Sequence, residues 1–160
     1  MPVNPIVRSR LEAQGFYGLD EATLEKLAPW MRWTYTLGTL AAVTGVALMS
    51  PAVLWTLAAI TSVGILFPVH PFDLLYNYGM RHLTHTGPFP RSGSQRRFVF
   101  VFATAWLIAT GWAFHVGAGV VGVTLGVALI LVGALASITN FCIPSFIYNT
   151  VTGQRHRERV

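Results

Sequence analysis

Charged and apolar positions divide the chain into alternating blocks. After Arg32 no formal charge occurs until Asp73, and after Arg97 none until Arg155, so residues 33–72 and 98–154 are uncharged runs of 40 and 57 residues. A transmembrane helix needs about 20 mainly apolar residues, with about 17 the short limit. Each run is therefore long enough for two spans and a tight turn. The first run predicts spans from about Trp33 to Met49 and from about Ala52 to Phe67. Ser50 and Pro51 mark the turn, because proline suits the first turn of a helix, and Pro68 and Pro71 stop the second span. The second run predicts a span over Phe98 to Phe114, a turn at His115, Gly117 and Gly119, and a fourth segment from about Val120 towards Tyr148, kinked near Pro144. The expected fold class is all-α, an integral membrane four-helix bundle of two transmembrane hairpins preceded by a short N-terminal interfacial helix.

That interfacial helix belongs to residues 1–30. Asp20 can cap it, Glu21 and Glu25 suit its positive end, and Leu24, Leu27 and Ala28 form a weak apolar stripe before Pro29 redirects the chain. The expected organisation is a cytoplasmic N-terminal segment 1–30, a four-span domain 31–150 with a cytoplasmic loop 69–96, and a basic tail 151–160.

Composition supports this reading. The 160 residues are 53% hydrophobic and 11% charged, against about 25% charged in soluble domains. The net charge of +5 would suggest nucleic acid in a soluble protein. Four spans instead put all eleven Lys and Arg residues on one side, the positive-inside pattern, with both termini in the cytoplasm of a bacterial inner membrane and no nucleic-acid partner. Trp30, Arg32, Trp33, Arg96, Arg97 and Trp112 are then membrane-interface anchors. The first apolar run follows an acidic, proline-containing segment, so it is expected to remain as a span and not to be cleaved as a signal peptide. Spans without ionisable side chains argue against an ion-coupled transporter.

Candidate chemistry is confined to a few side chains. His82 and His85 form H-x-x-H and would share a face if residues 74–86 were helical, with His70 and Asp73 upstream; these are the metal candidates. Proline after His70 holds that residue extended, as a rigid exit turn requires. His115 falls at the opposite membrane face, so it and His70 cannot ligate one haem axially, although His115 alone could hold a haem or chlorin. No cofactor is required by the sequence. Cys142 is the single cysteine, either a buried small hydrophobe or a thiol activated by a nearby cation. Gly122 and Gly126 form GxxxG and share a sector with Gly133, which favours close helix packing inside the protein over a dimer interface.

The combination of His70-Pro71 after the second span, Pro90-Arg91 and Arg97-Phe98 before the third, and Asn140, Cys142 and Tyr148 late in the chain resembles a family of small bacterial four-span membrane proteins catalogued as a domain of unknown function. The resemblance covers about residues 30–150. It implies C-x-x-C at the late position and a link to thiol redox or sulfur transfer, but this chain reads Cys142-Ile143-Pro144-Ser145. A dithiol mechanism within one chain is therefore unavailable. The function expected is a non-catalytic accessory or scaffold subunit of a larger bioenergetic membrane complex, respiratory or photosynthetic, with lipid and other membrane subunits as partners. The alternative is a membrane-bound thiol-redox or sulfur-transfer protein using Cys142.

Overall fold

The computed structural model describes residues 4–152 except 15, 17, 91 and 92, so the basic tail beyond Thr152 and Arg91 lie outside the described residues. Every regular element among these residues is helical. Two short helices come first. α1 (Pro5–Glu12) starts where Asn4 Oδ1 accepts the Ile6 N–H at 2.9 Å, and α2 (Glu21–Leu27) where Asp20 accepts the Thr23 N–H at 3.0 Å, the cap expected from sequence. α3 (Trp33–Ala47) and α4 (Pro51–Leu66) form a hairpin whose turn is capped by Ser50, with Pro51 in the first turn. Then come α5 (Pro71–Leu75), a π turn (Tyr76–Met80) and α6 (Arg81–Thr84), followed by the long helices α7 (Ser94–His115) and α8 (Gly119–Thr139) and the short α9 (Ile143–Val151).

α3, α4, α7 and α8 pack as neighbours, α4 on α7 and α3 on α8, with α3–α4 and α7–α8 the hairpin contacts. Glycines set the approach. A Cβ at Gly122 would meet the Phe114 ring at 2.6 Å, one at Gly126 would overlap Val46 and one at Gly133 would overlap Thr39. All three glycines thus stand against side chains of neighbouring helices. Gly64 does the same for His70 and Phe100, and Gly111 for Trp55.

α7 and α8 are long and apolar enough to cross a membrane, and α4 with the α5–α6 segment qualifies only as a pair bent by 86°. α3 and α4 have 15 and 16 residues, which at about 1.5 Å per residue falls short of a hydrocarbon core of about 30 Å. The outer surface is strongly apolar. Only 17% of the most apolar window of α8 is buried, and Val120, Leu131 and Ile138 are more than half exposed. Exposure on this scale is unusual for a protein surface facing water and fits a membrane protein.

Two expectations are corrected here. The fourth segment does not run on to Tyr148. It ends at Thr139, because Asn140 adopts a left-handed conformation (φ 53°), and Pro144 sits in the first turn of a separate helix instead of kinking a long one. The helix expected over residues 74–86 also ends early, at Thr84, where His85 turns left-handed (φ 51°). His82 and His85 therefore do not share a helical face.

The N-terminal segment is better packed than a surface helix would be. Leu11, Phe16, Leu24, Leu27, Ala28 and Met31 are buried against Tyr76 and Phe89, whose rings stack at 4.0 Å. The exposed Arg8 pairs with Glu12 and Glu21 add little by comparison. This segment also satisfies the carbonyl end of α8: Arg32 reaches the Ser137 and Ile138 carbonyls, Arg10 donates to Thr139 O at 2.6 Å and Gln14 to Asn140 O at 2.6 Å. Helix ends leave four carbonyls without intrahelical donors, so the polar preface serves as a cap for the longest apolar hairpin.

Candidate functional site: a buried clasp beside an apolar cavity

The site begins with the exit from α4. Pro71 holds His70 extended (φ −81°, ψ 146°), so His70 becomes the N-cap of α5. Its Nδ1 accepts the Phe72 N–H at 3.1 Å, and Asp73 Oδ2 in return accepts the His70 N–H at 3.4 Å. This reciprocal cap fixes both side chains. The imidazole stacks on Phe100 of α7, with centroids 4.5 Å apart.

Asp73 then meets Arg96 in the first turn of α7. The pair is bidentate, Nη1 to Oδ2 at 2.9 Å and Nη2 to Oδ1 at 3.0 Å, and both side chains are almost wholly buried. The Thr34 hydroxyl of α3 donates to Asp73 Oδ1 and accepts from Arg96 Nη2 at 3.4 Å. The rings of Phe16 and Phe100 lie close to the guanidinium, their centroids 5.2 and 5.6 Å from Cζ. One ion pair therefore ties together α3, α5, α7 and the N-terminal segment. Fork-to-fork geometry and two aromatic faces offset part of the desolvation that makes buried pairs costly. Arg96 is accordingly not the membrane-interface anchor expected from sequence: the nearest carboxylate draws it inward, while its neighbour Arg97 remains exposed.

The other candidates lie elsewhere. His82 and His85 are exposed on α6 and at its end. His115 is exposed at the far end of α7, its ring 5.4 Å from that of Trp55 and 5.7 Å from that of Trp112. Among the described residues no three His, Cys, Asp or Glu side chains converge for a metal. Trp30 and Trp33 pack against Tyr76 with tilted rings, and Trp112 is exposed. Cys142 is buried as the N-cap residue of α9. Burial pushes its thiol above the ordinary value, and the Ser145 hydroxyl and amide only partly offset this. Cys142 also lies between two hollows. One is a cleft of about 430 Å³ between α1 and the α8–α9 joint, and the other a partly open cavity of about 100 Å³ among α3, α4, α7 and α8, which His70 and Tyr35 also line.

Residues 28–152 match the family described as Domain of unknown function (DUF4395). The chain belongs to this family. No curated protein and no solved structure matches it. The DUF4395 region holds His70, Asp73, Arg96, Thr34 and Cys142, whereas Phe16 and the residues of α1 precede it. Thr34 and Arg96 are the members of the site that sequence reasoning missed. A signal did exist: Asp73 is the single acidic residue between Glu25 and Glu158, and it lies beside apolar spans where a carboxylate needs a cation.

Burial holds His70 down to about 4, from an ordinary 6.5; the Asp73 carboxylate opposes this shift and Arg96 adds to it. His70 is thus neutral near pH 7, with the proton on Nε2 because Nδ1 is an acceptor. The unfolded chain takes up the imidazole proton more readily than the folded one. The stability linked to His70 is therefore complete above pH 6.5 and lost as the pH falls from 6.5 towards 4. Thermal midpoints against pH check this. His70→Asn, whose amide oxygen can still cap Phe72, is expected to flatten the decline in that window, and an unchanged decline would contradict the assignment.

Proposed function

We propose that this chain is a four-span integral protein of a bacterial inner membrane, with both termini cytoplasmic, that serves as a non-catalytic accessory subunit of a larger bioenergetic membrane complex. The observation that carries the reading is the closed state of the buried charges. Asp73 and Arg96 satisfy each other bidentately and bind elements together, which is a scaffold's use of charge rather than that of a proton path or a catalytic dyad. The apolar exposure of α7 and α8 supports lipid or partner helices as their surroundings. α3 and α4 complete the bundle as short spans, with the turn residues before Trp33 and the aromatic pair Trp30 and Trp33 extending α3 towards the headgroups. Purification of the tagged chain in mild detergent, followed by quantitative mass spectrometry, is expected to recover one or more membrane proteins in constant ratio. Repeated recovery of the chain alone would contradict the proposal.

A thiol-redox or sulfur-transfer role is supported by one observation, the position of Cys142 between the two hollows. The raised thiol weighs against it, because the thiolate is the reactive form. Alkylation rates against pH in the folded protein are expected to show a midpoint above that of a free thiol, about 8.5. A midpoint well below it would favour the sulfur chemistry instead.

A further inference from the structure

The cavity among α3, α4, α7 and α8 is walled mainly by apolar side chains, aliphatic ones such as Leu57, Leu107 and Leu129 and aromatic ones such as Phe100 and Phe102. Two polar groups that line it have no hydrogen-bond partner among the described residues, Tyr35 Oη and His70 Nε2, and of these Nε2–H can only donate. His70 is 1% exposed, its backbone N–H is held by Asp73 and its Nδ1 by Phe72, and its Nε2 has no partner among the described residues. Buried polar groups in native proteins are almost always paired, and an unmet one is costly. The group that completes this site must therefore present an acceptor. It need carry no charge, since Asp73 and Arg96 neutralise each other. The rest of it must be apolar, to match the walls. At about 100 Å³ the cavity is smaller than the about 150 Å³ that takes up benzene, but it is partly open, so it can seat a carbonyl and the carbons beside it while the rest of the molecule lies outside.

We propose that this cavity binds a neutral, membrane-soluble carbonyl compound whose oxygen accepts a hydrogen bond from His70 Nε2–H. Two sources share that chemistry: a quinone ring dissolved in the bilayer, and the ester carbonyl of a glycerolipid acyl chain. The inference goes beyond the accessory-subunit reading and does not rest on it, because it concerns the isolated chain.

The full chain, purified in detergent, is titrated with decylubiquinone, with tryptophan fluorescence quenching as the readout. In parallel, retained lipids are compared by native mass spectrometry after exchange into ester-linked or ether-linked phosphatidylglycerol. Two variants accompany the wild type. His70→Asn keeps the cap on Phe72 and removes Nε2–H, and Ala103→Leu fills the cavity while leaving His70 in place. The expected result is saturable quinone binding, or selective retention of the ester lipid, weakened about tenfold or more by each variant. Circular dichroism and gel filtration confirm that the variants fold, and if His70→Asn does not, Ala103→Leu alone carries the test. Saturable quenching identifies the quinone as the source, and ester selectivity without it identifies the lipid. Non-saturable quenching together with equal retention of both lipids, or binding indifferent to the folded variants, would overturn the proposal and leave water as the partner of Nε2.

Discussion

Asp73→Asn and Arg96→Met are each expected to lower the stability of the folded chain by about 3–5 kcal/mol, because each strands a buried charge whose partner has gone. Removing Arg96 leaves the buried carboxylate with Thr34 and the His70 N–H but no cation, and removing the Asp73 charge leaves a buried guanidinium that still donates to Thr34 but has lost its carboxylate. The double replacement Asp73→Leu with Arg96→Met takes away both charges and is expected to cost much less than the sum of the two single effects. Unfolding in detergent followed by tryptophan fluorescence supplies the cycle. Single costs below about 1 kcal/mol that simply add would mean that the pair is not the clasp described above. The Arg96 variant should also expose the N-terminal segment to protease first, since Phe16 rests on that guanidinium.

The second large effect is at the α3–α8 contact. Gly126→Ala is expected to destabilise by about 1–3 kcal/mol, the usual cost of overpacking, because the new methyl overlaps Val46. Val46→Ala in the same chain should recover most of the loss. Gly38→Ala is the control: a Cβ there meets nothing within 4 Å, so the change should be neutral or stabilising by up to about 1 kcal/mol. These differences are read in the same detergent unfolding assay, and the elution volume of Gly126→Ala should stay that of the wild type. A shift in oligomeric state without loss of stability would instead make the glycine face an external interface.

The helices were largely legible in the sequence because their ends carry local chemistry: Asp20 and Ser50 as caps, Pro51 in a first turn, and Gly117 with its positive φ of 77° at the α7–α8 turn. Where legibility failed, a long-range or conformational choice decided the outcome. Asn140 and His85 can each continue a helix or cap one, and both take the left-handed cap. Arg96 and Arg97 look alike in sequence, and only the position of Asp73 in space separates the buried arginine from the exposed one. Thr34 lies 39 residues from Asp73, and no local spacing rule connects them. His70 was legible as a rigid turn because proline acts on its immediate neighbour. Its free Nε2 was not, since that depends on how α4, α5 and α7 close around it.

The most direct test of the four-span reading is the sidedness of single cysteines in a Cys142→Ser chain expressed in a bacterial inner membrane. Ala22→Cys and Leu83→Cys, both exposed on the basic side, and Met49→Cys and Val116→Cys, both exposed in the two hairpin turns, are labelled with a membrane-impermeant maleimide before and after the membrane is opened. Four spans with the basic face inward predict labelling of Met49→Cys and Val116→Cys in intact cells, and of Ala22→Cys and Leu83→Cys only after opening. Protection of Met49→Cys in intact cells, with Val116→Cys still labelled, would mean that the first hairpin does not cross the membrane and would contradict the reading.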